Sequence, residues 1–198
     1  MLDRFRMRYE TAMRPLGKRL GKIGLKPNTI TTISLLVSCL AAVAYAFRMP
    51  LVGALGILGS GFIDMLDGAV ARATKSATRF GAVYDHVLDR YAEFAILLGI
   101  GIGGLVDWIW VIFALFGMVM ASFVRAKAES VGGLKSCTVG IAERQEKLML
   151  LLVGSILQPL FSFALLICVF VVGVLSHVTV VQRLRYTFKQ TRGLKVDL

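Results

Sequence analysis

Asp64 and Asp67 fall in the stretch D-M-L-D-G-A-V-A-R, and Asp85 and Asp89 fall in G-A-V-Y-D-H-V-L-D, eight residues further on. Side chains three or four apart share a helix face, so Asp64, Asp67 and Ala71 line up at i, i+3 and i+7, and Asp85 and Asp89 form an i, i+4 pair. Two helices joined by a short turn can aim all four carboxylates into one cavity. Left alone there, they would repel one another, and desolvation would drive them neutral. Divalent cations remove the conflict, and an all-oxygen ligand set favours Mg²⁺ or Mn²⁺ over zinc. Two such ions bridged by carboxylates can hold a pyrophosphate and stabilise a leaving phosphate. Gly68 and Gly81 keep side chains out of the space where a nucleotide would approach the backbone. Arg72 offers a bidentate phosphate donor. Ion pairing is a poorer account, because Arg72, Arg79 and Arg90 are too few and too unevenly spaced to neutralise four aspartates and Glu93. A divalent-cation transporter explains the acids but not the glycines and the arginine at these spacings. His86 follows Asp85 on the same helix and points about 100° away from it, which sets it outside the ligand set.

The elements that position these groups are membrane helices. The chain has 198 residues, of which 57% are hydrophobic and 18% charged, with a mean hydropathy of +0.74. That composition describes one all-α integral membrane domain and excludes an ordinary soluble globule. An ionised side chain near a bilayer centre costs roughly 2.5–3.5 kcal/mol on insertion scales, so aspartates beside apolar runs are by default functional. The net charge of +11 lies in short blocks between apolar runs. It suits an anionic leaflet and phosphorylated substrates, and argues against nucleic acid as a partner. Cys39, Cys137 and Cys168 have no metal-binding spacing and read as packing residues. The N-terminus, charged throughout, does not read as a cleaved signal peptide.

Residues 1–26 carry eight Lys/Arg interleaved with apolar residues, the pattern of an amphipathic helix lying in the membrane interface. Six spans are expected after it, at about residues 31–47, 51–73, 80–101, 108–124, 147–157 and 160–181, each compared with the ~20 residues that cross a bilayer. The fifth is short, and five spans with a re-entrant segment after Arg144 is the alternative. The expected organisation is therefore a juxtamembrane helix over 1–26, a six-span domain over 27–182 and a basic cytoplasmic tail over 183–198. With both termini cytoplasmic, 21 of the 23 Lys/Arg fall on that side, only Arg48 falls on the other, and Arg90 lies within a span. This division is a strong positive-inside signal and places the aspartates near the cytoplasmic face of a multi-pass cell-membrane protein.

The aspartate stretch resembles, at every defined position, the signature of the CDP-alcohol phosphotransferase family, D-x2-D-G-x2-A-R-x8-G-x3-D-x3-D. The resemblance implies an integral membrane enzyme, typically a homodimer, which displaces CMP from a CDP-linked lipid with an alcohol and uses two divalent ions. It implies that Asp64, Asp67 and Asp85 are metal ligands, with Asp89 a shared ligand or the base that deprotonates the acceptor. It implies that Gly68, Ala71, Arg72 and Gly81, together with Asp67, line the CDP site. Pro27-Asn28-Thr29 and Thr32 are similar to the family's opening of the first span, which brings Asn28 and Thr32 to the nucleotide. Attack by the alcohol could be direct or could pass through a covalent intermediate; the resemblance favours the direct route.

The remaining cations bear on the acceptor. Arg125 and Lys127 end the fourth span, Arg144 and Lys147 open the fifth, and Arg183 and Arg185 close the sixth. Several cations around one cavity suit an acceptor that is itself a phosphate, while positive-inside anchoring accounts for any one of them singly. The stretches F-V-R-A-K-A-E-S-V-G and G-I-A-E-R-Q-E-K-L resemble the branch that uses inositol phosphate, the phosphatidylinositol phosphate and archaetidylinositol phosphate synthases. Lys127, Gln145 and Lys147 depart from that branch's Arg, Pro and Arg. By this resemblance Lys127, Arg144 and Arg183, with Arg125 beside them, hold the acceptor phosphate, and glycerol 3-phosphate is the alternative acceptor. The lipid is CDP-diacylglycerol or CDP-archaeol, whose tails meet the same generic apolar grooves.

Overall fold

The computed structural model describes Met13 and residues 15–193, and every regular element among them is a helix. These are α1 (residues 15–22), α2 (Pro27–Ala46), α3 (Pro50–Thr74), α4 (Arg79–Ile102), α5 (Trp108–Ser130), α6 (Arg144–Leu157) and α7 (Ala164–Thr191). The all-α expectation holds. Four of the described helices, α2, α3, α5 and α7, are long and apolar enough to cross a membrane. Of the other two expected spans, α4 carries Arg79, Asp85, Asp89, Arg90 and Glu93 within its 24 residues. α6 has only 14 residues, about 21 Å of helix against the ~30 Å of a hydrocarbon core. Half of the expected amphipathic helix, residues 1–12 and Arg14, lies outside the described residues, as do residues 194–198 of the expected tail. The described part of that tail continues α7 to Thr191.

The chain divides into two compact units, Met1–Gly99 and Ile100–Leu198. In the first, α2 and α3 each open on a proline, Pro27 and Pro50, at a position where the missing N–H is not needed. α2 ends in a Schellman turn, with the Arg48 N–H donating to Tyr45 O (2.9 Å) and the Met49 N–H to Ala44 O (2.9 Å). Arg48 holds φ 59°, a left-handed conformation more often filled by glycine. α2 and α3 then pack closely: a Cβ at Gly56 would lie 2.5 Å from Ala41 Cβ, and one at Gly53 would strike the Tyr45 ring. The Ser34 hydroxyl donates to Ser60 O across this contact (2.9 Å). Further along, Gly99 of α4 faces the Ala42 backbone of α2. Met13, Leu16 and Leu20 are partly buried against the cluster of Ile30, Leu66 and Val70, so part of the apolar face of α1 rests on protein. Lys18, Arg19 and Lys22 stay exposed.

In the second unit, α7 packs against both α5 and α6. Glycines set the spacing again, Gly173 against the Phe113 ring and Gly154 against Cys168. Trp110 meets Phe170 edge-on at 5.1 Å, and His177 stacks on Phe113 at 4.6 Å. The loop between α5 and α6 is held by side chains. Glu129 accepts from Arg125 Nε (3.1 Å) and from the Cys137 N–H (2.9 Å), and Arg183 donates through Nε to Val139 O (2.9 Å) and through Nη1 to Ala121 O (2.6 Å).

Candidate active site

α3 and α4 bring the acids together across the turn at residues 75–78. Carboxylate oxygens of Asp64, Asp67 and Asp85 lie within 4.8 Å of one another. At an effective dielectric near 20, two unit charges at that separation repel by about 3 kcal/mol, so the cluster calls for a cation. Every donor in it is an oxygen, the set that suits Mg²⁺ or Mn²⁺. Asp85 belongs also to a second group, with His86 and Asp89, whose ligand atoms again lie within 4.8 Å of one another. A site for two ions sharing Asp85 therefore fits these residues. Sequence reasoning set His86 aside, yet its Nδ1 lies 3.8 Å from Asp85 Oδ2, with the ring 70% exposed. Adjacent helix positions diverge at Cβ, but the imidazole is long enough to swing back.

Asp67 is the buried member of the cluster. The Thr31 hydroxyl donates to its Oδ2 at 2.7 Å, and the same hydroxyl lies 3.1 Å from Pro27 O. One proton serves one acceptor at a time, and the shorter contact to an ionised oxygen is the stronger. Thr31 thus orients Asp67 from the neighbouring helix. Thr31→Val is expected to weaken Mn²⁺ binding, read by isothermal titration, by about tenfold, the measure of one hydrogen bond to a charged group.

Beside the acids lies a cavity of about 240 Å³ lined by Asn28, Asp67, Gly68, Ala71, Arg72 and Gly81, six of the seven residues expected at the nucleotide, and also by Thr31 and Asp85. The glycines act by leaving room. A Cβ on Gly68 would sit 3.2 Å from Arg72 Nη1, and one on Gly81 3.2 Å from Asn28 Oδ1. Thr78 accepts the Gly81 N–H on its Oγ1 (2.9 Å), capping the first turn of α4.

Thr32, the seventh expected residue, is not among the lining residues. It donates to Asn28 O (2.8 Å) and shares a hydrogen bond with Tyr84 OH (2.9 Å), joining α2 to α4. The helical step of about 100° between neighbours turns Thr31, not Thr32, toward the cavity. No sequence pattern distinguishes the two threonines without the crossing of α2 and α3. Tyr84 and Ser76–Ala77–Thr78 around this site were likewise not singled out by the motif.

The expected acceptor residues all belong to the second unit. Lys127 is exposed, with its ammonium 5.6 Å over the Phe123 ring. Arg144 is the first residue of α6 and partly buried. Arg125 is paired to Glu129, and Arg183, 6% exposed, is engaged with two backbone carbonyls. Lys147, one turn beyond Arg144, is buried. Arg185 departs from Arg183 and lines a different cavity, with Gln182 and Lys189.

Comparison with known proteins places this geometry in a lineage. The family model described as CDP-alcohol phosphatidyltransferase matches residues 25–182. The archaetidylinositol phosphate synthase of Methanothermobacter thermautotrophicus is 38% identical over 196 residues, covering 97% of this chain and 96% of its own. The phosphatidylinositol phosphate synthase of Mycobacterium tuberculosis, solved with CDP-DAG bound, superposes with a TM-score of 0.84 at 27% identity, covering 94% of this chain and 98% of its own. The same mycobacterial protein, solved with manganese and citrate, also gives a TM-score of 0.84 at 27% identity, with 94% and 93% covered.

Proposed function

Because the chain belongs to the CDP-alcohol phosphatidyltransferase family, we propose that it transfers the phosphatidyl-type group of a CDP-linked lipid to inositol phosphate and releases CMP. The observation that carries this reading is the convergence of Asp64, Asp67 and Asp85 beside a cavity lined by Asn28, Gly68, Arg72 and Gly81. The inositol phosphate acceptor is supported by the likeness to the archaetidylinositol phosphate and phosphatidylinositol phosphate synthases of archaea and mycobacteria. In this reading Asp64, Asp67, Asp85 and Asp89 hold two Mg²⁺ or Mn²⁺ ions. When bound, such ions neutralise the pyrophosphate and stabilise the departing CMP phosphate.

The chain's own groups do the rest. Arg72 and the backbone at Gly68 and Gly81 receive the CDP moiety. Asp89 takes the proton of the acceptor hydroxyl as its oxygen attacks the lipid-bearing phosphorus. The bond from that phosphorus to the CMP oxygen breaks, and CMP leaves as its phosphate. Lys127 and Arg144 bind the acceptor phosphate, while Arg125 and Arg183 brace the segments that present them. All six expected spans, the charged α4 and the short α6 included, are read as the membrane domain, with both termini and the site cytoplasmic and the protein working as a homodimer. The positive-inside count supports that orientation.

The test is CMP release from CDP-diacylglycerol and from CDP-archaeol, with inositol phosphate, glycerol 3-phosphate, serine and free inositol offered in parallel. Inositol phosphate is expected to support the fastest release, and release is expected to stop on chelation of the metal. If no acceptor elicits metal-dependent release, the transferase reading fails and a cation transporter takes its place. Lys127→Ala and Arg144→Ala are each expected to raise the acceptor KM by about tenfold with the CDP-lipid KM unchanged, the loss of one charge-assisted phosphate contact. An unchanged acceptor KM in both removes these residues from the pocket.

A further inference from the structure

Within the second unit, the end of α7 and the loop before α6 form a second cavity. It has a volume of about 380 Å³ and is lined by Val139, Gly140, Ile141, Gln182, Arg185, Tyr186 and Lys189, and so carries two cations and no acid. Gln182 Oε1 accepts the Ile141 N–H (3.0 Å), which seats the loop against the helix and leaves the Gln182 amide with its NH₂ as a donor. Gly140 holds φ +156° and approaches the Thr179 methyl so closely that a Cβ there would lie 2.6 Å from it. The cavity is thus walled by a backbone pressed against α7 on one side and by Arg185, Tyr186 and Lys189 on the other.

The helix places an apolar stripe next to these cations. At about 100° per residue, Leu184, Phe188 and Val181 form one face, Arg185 and Lys189 follow it, and Gln182 and Tyr186 come after them. Val181, Leu184 and Phe188 are 47%, 53% and 68% exposed. α7 has 28 residues, about 42 Å of helix, against a hydrocarbon core of ~30 Å. A helix that fills the core from Ala164 therefore carries its last two turns at headgroup depth. There an apolar stripe suits acyl chains, and the neighbouring cations suit the phosphate between them and water.

We propose that the cavity between residues 139–141 and the Gln182–Lys189 face of α7 binds the phosphate headgroup of an anionic membrane phospholipid. Two cations on one face with two neutral donors beside them match a phosphodiester, and the apolar stripe selects a lipid over a soluble phosphate. None of the groups assigned to transfer lines this cavity: Arg183, between these residues in sequence, turns inward to Val139 O and Ala121 O.

The experiment uses the full-length protein purified in a neutral detergent and titrated with dioleoylphosphatidylglycerol, with retained lipid counted by native mass spectrometry. Dioleoylphosphatidylcholine and inorganic phosphate form the other arms. The wild type is expected to retain phosphatidylglycerol in preference to phosphatidylcholine. Arg185→Gln/Lys189→Gln is expected to bind phosphatidylglycerol at least about tenfold more weakly, the summed attraction of two basic residues to an anionic headgroup. Inorganic phosphate at millimolar level is expected to leave the lipid in place. A thermal melt in the same detergent identifies an unfolded variant, in which case Arg185→Gln alone is measured and is expected to show a several-fold loss. Equal retention by the folded variant and the wild type overturns the proposal. So does equal retention of the two lipids, or displacement of the lipid by inorganic phosphate.

Discussion

Asp67→Asn is expected to lower kcat for CMP release by about a thousandfold or more, the scale on which removal of a metal-holding or charge-stabilising group acts. The protein should remain folded, because asparagine keeps the volume and its carbonyl can still accept the Thr31 hydroxyl that now meets Oδ2 at 2.7 Å. What disappears is one charge from an oxygen cluster within 4.8 Å. Mn²⁺ titration followed by electron paramagnetic resonance should show weakened binding of at least one ion, and circular dichroism should show unchanged helix content. A wild-type kcat would remove Asp67 from the ligand set. Asp89→Asn removes a shared ligand and the proton acceptor together, so kcat should fall by about 10²–10⁴-fold with Mn²⁺ binding weakened as well.

The aspartate site was largely legible in the sequence because its information is local. Offsets of three, four and seven on a helix determine which side chains coincide, whatever the helix packs against. A turn as short as residues 75–78 leaves α3 and α4 few ways to lie. Thr31 shows where local information ends. Choosing it over Thr32 requires the rotation of α2 against α3, which is set by Gly53, Gly56 and the bond from Ser34 to Ser60, partners on α3 more than twenty residues away in sequence. α1 failed to disclose its partner for a similar reason. An amphipathic stripe reads identically whether lipid or Ile30, Leu66 and Val70 cover it.

The basic residues were the least legible, since a cation carries the same letter whether it anchors, braces or binds. Arg125, Arg183 and Arg185 all lie at the ends of apolar runs, and topology alone gives them one level. The structure gives them three different surroundings: Glu129, a pair of backbone carbonyls, and a separate cavity. Hydropathy also ended the last span near residue 181, where charges begin, although α7 continues for ten more residues. Helix termination depends on hydrogen bonding and caps rather than on polarity, so a span boundary need not be a helix boundary.

That separation of roles makes Arg183→Lys the most informative cationic substitution. If the guanidinium worked only as a positive charge for the acceptor phosphate, lysine would restore much of its function. Its geometry predicts otherwise. Nε reaches Val139 O at 2.9 Å and Nη1 reaches Ala121 O at 2.6 Å, so one planar group ties the loop before α6 to α5 from a side chain 6% exposed. A lysine ammonium is one compact head that cannot span the two carbonyls as the planar fork does, so at least one of the two contacts is lost. Each hydrogen bond to a charged group is worth about 1.5–3 kcal/mol, so the loss should be visible in a detergent melt. Both Arg183→Lys and Arg183→Ala are therefore expected to melt several degrees below wild type. Both should raise the acceptor KM at least about tenfold, because the same loop leads into Arg144, while the CDP-lipid KM stays near its wild-type value. A lysine variant with wild-type melting and near-normal acceptor KM would make Arg183 a simple charge at the substrate and would undo its role as a brace.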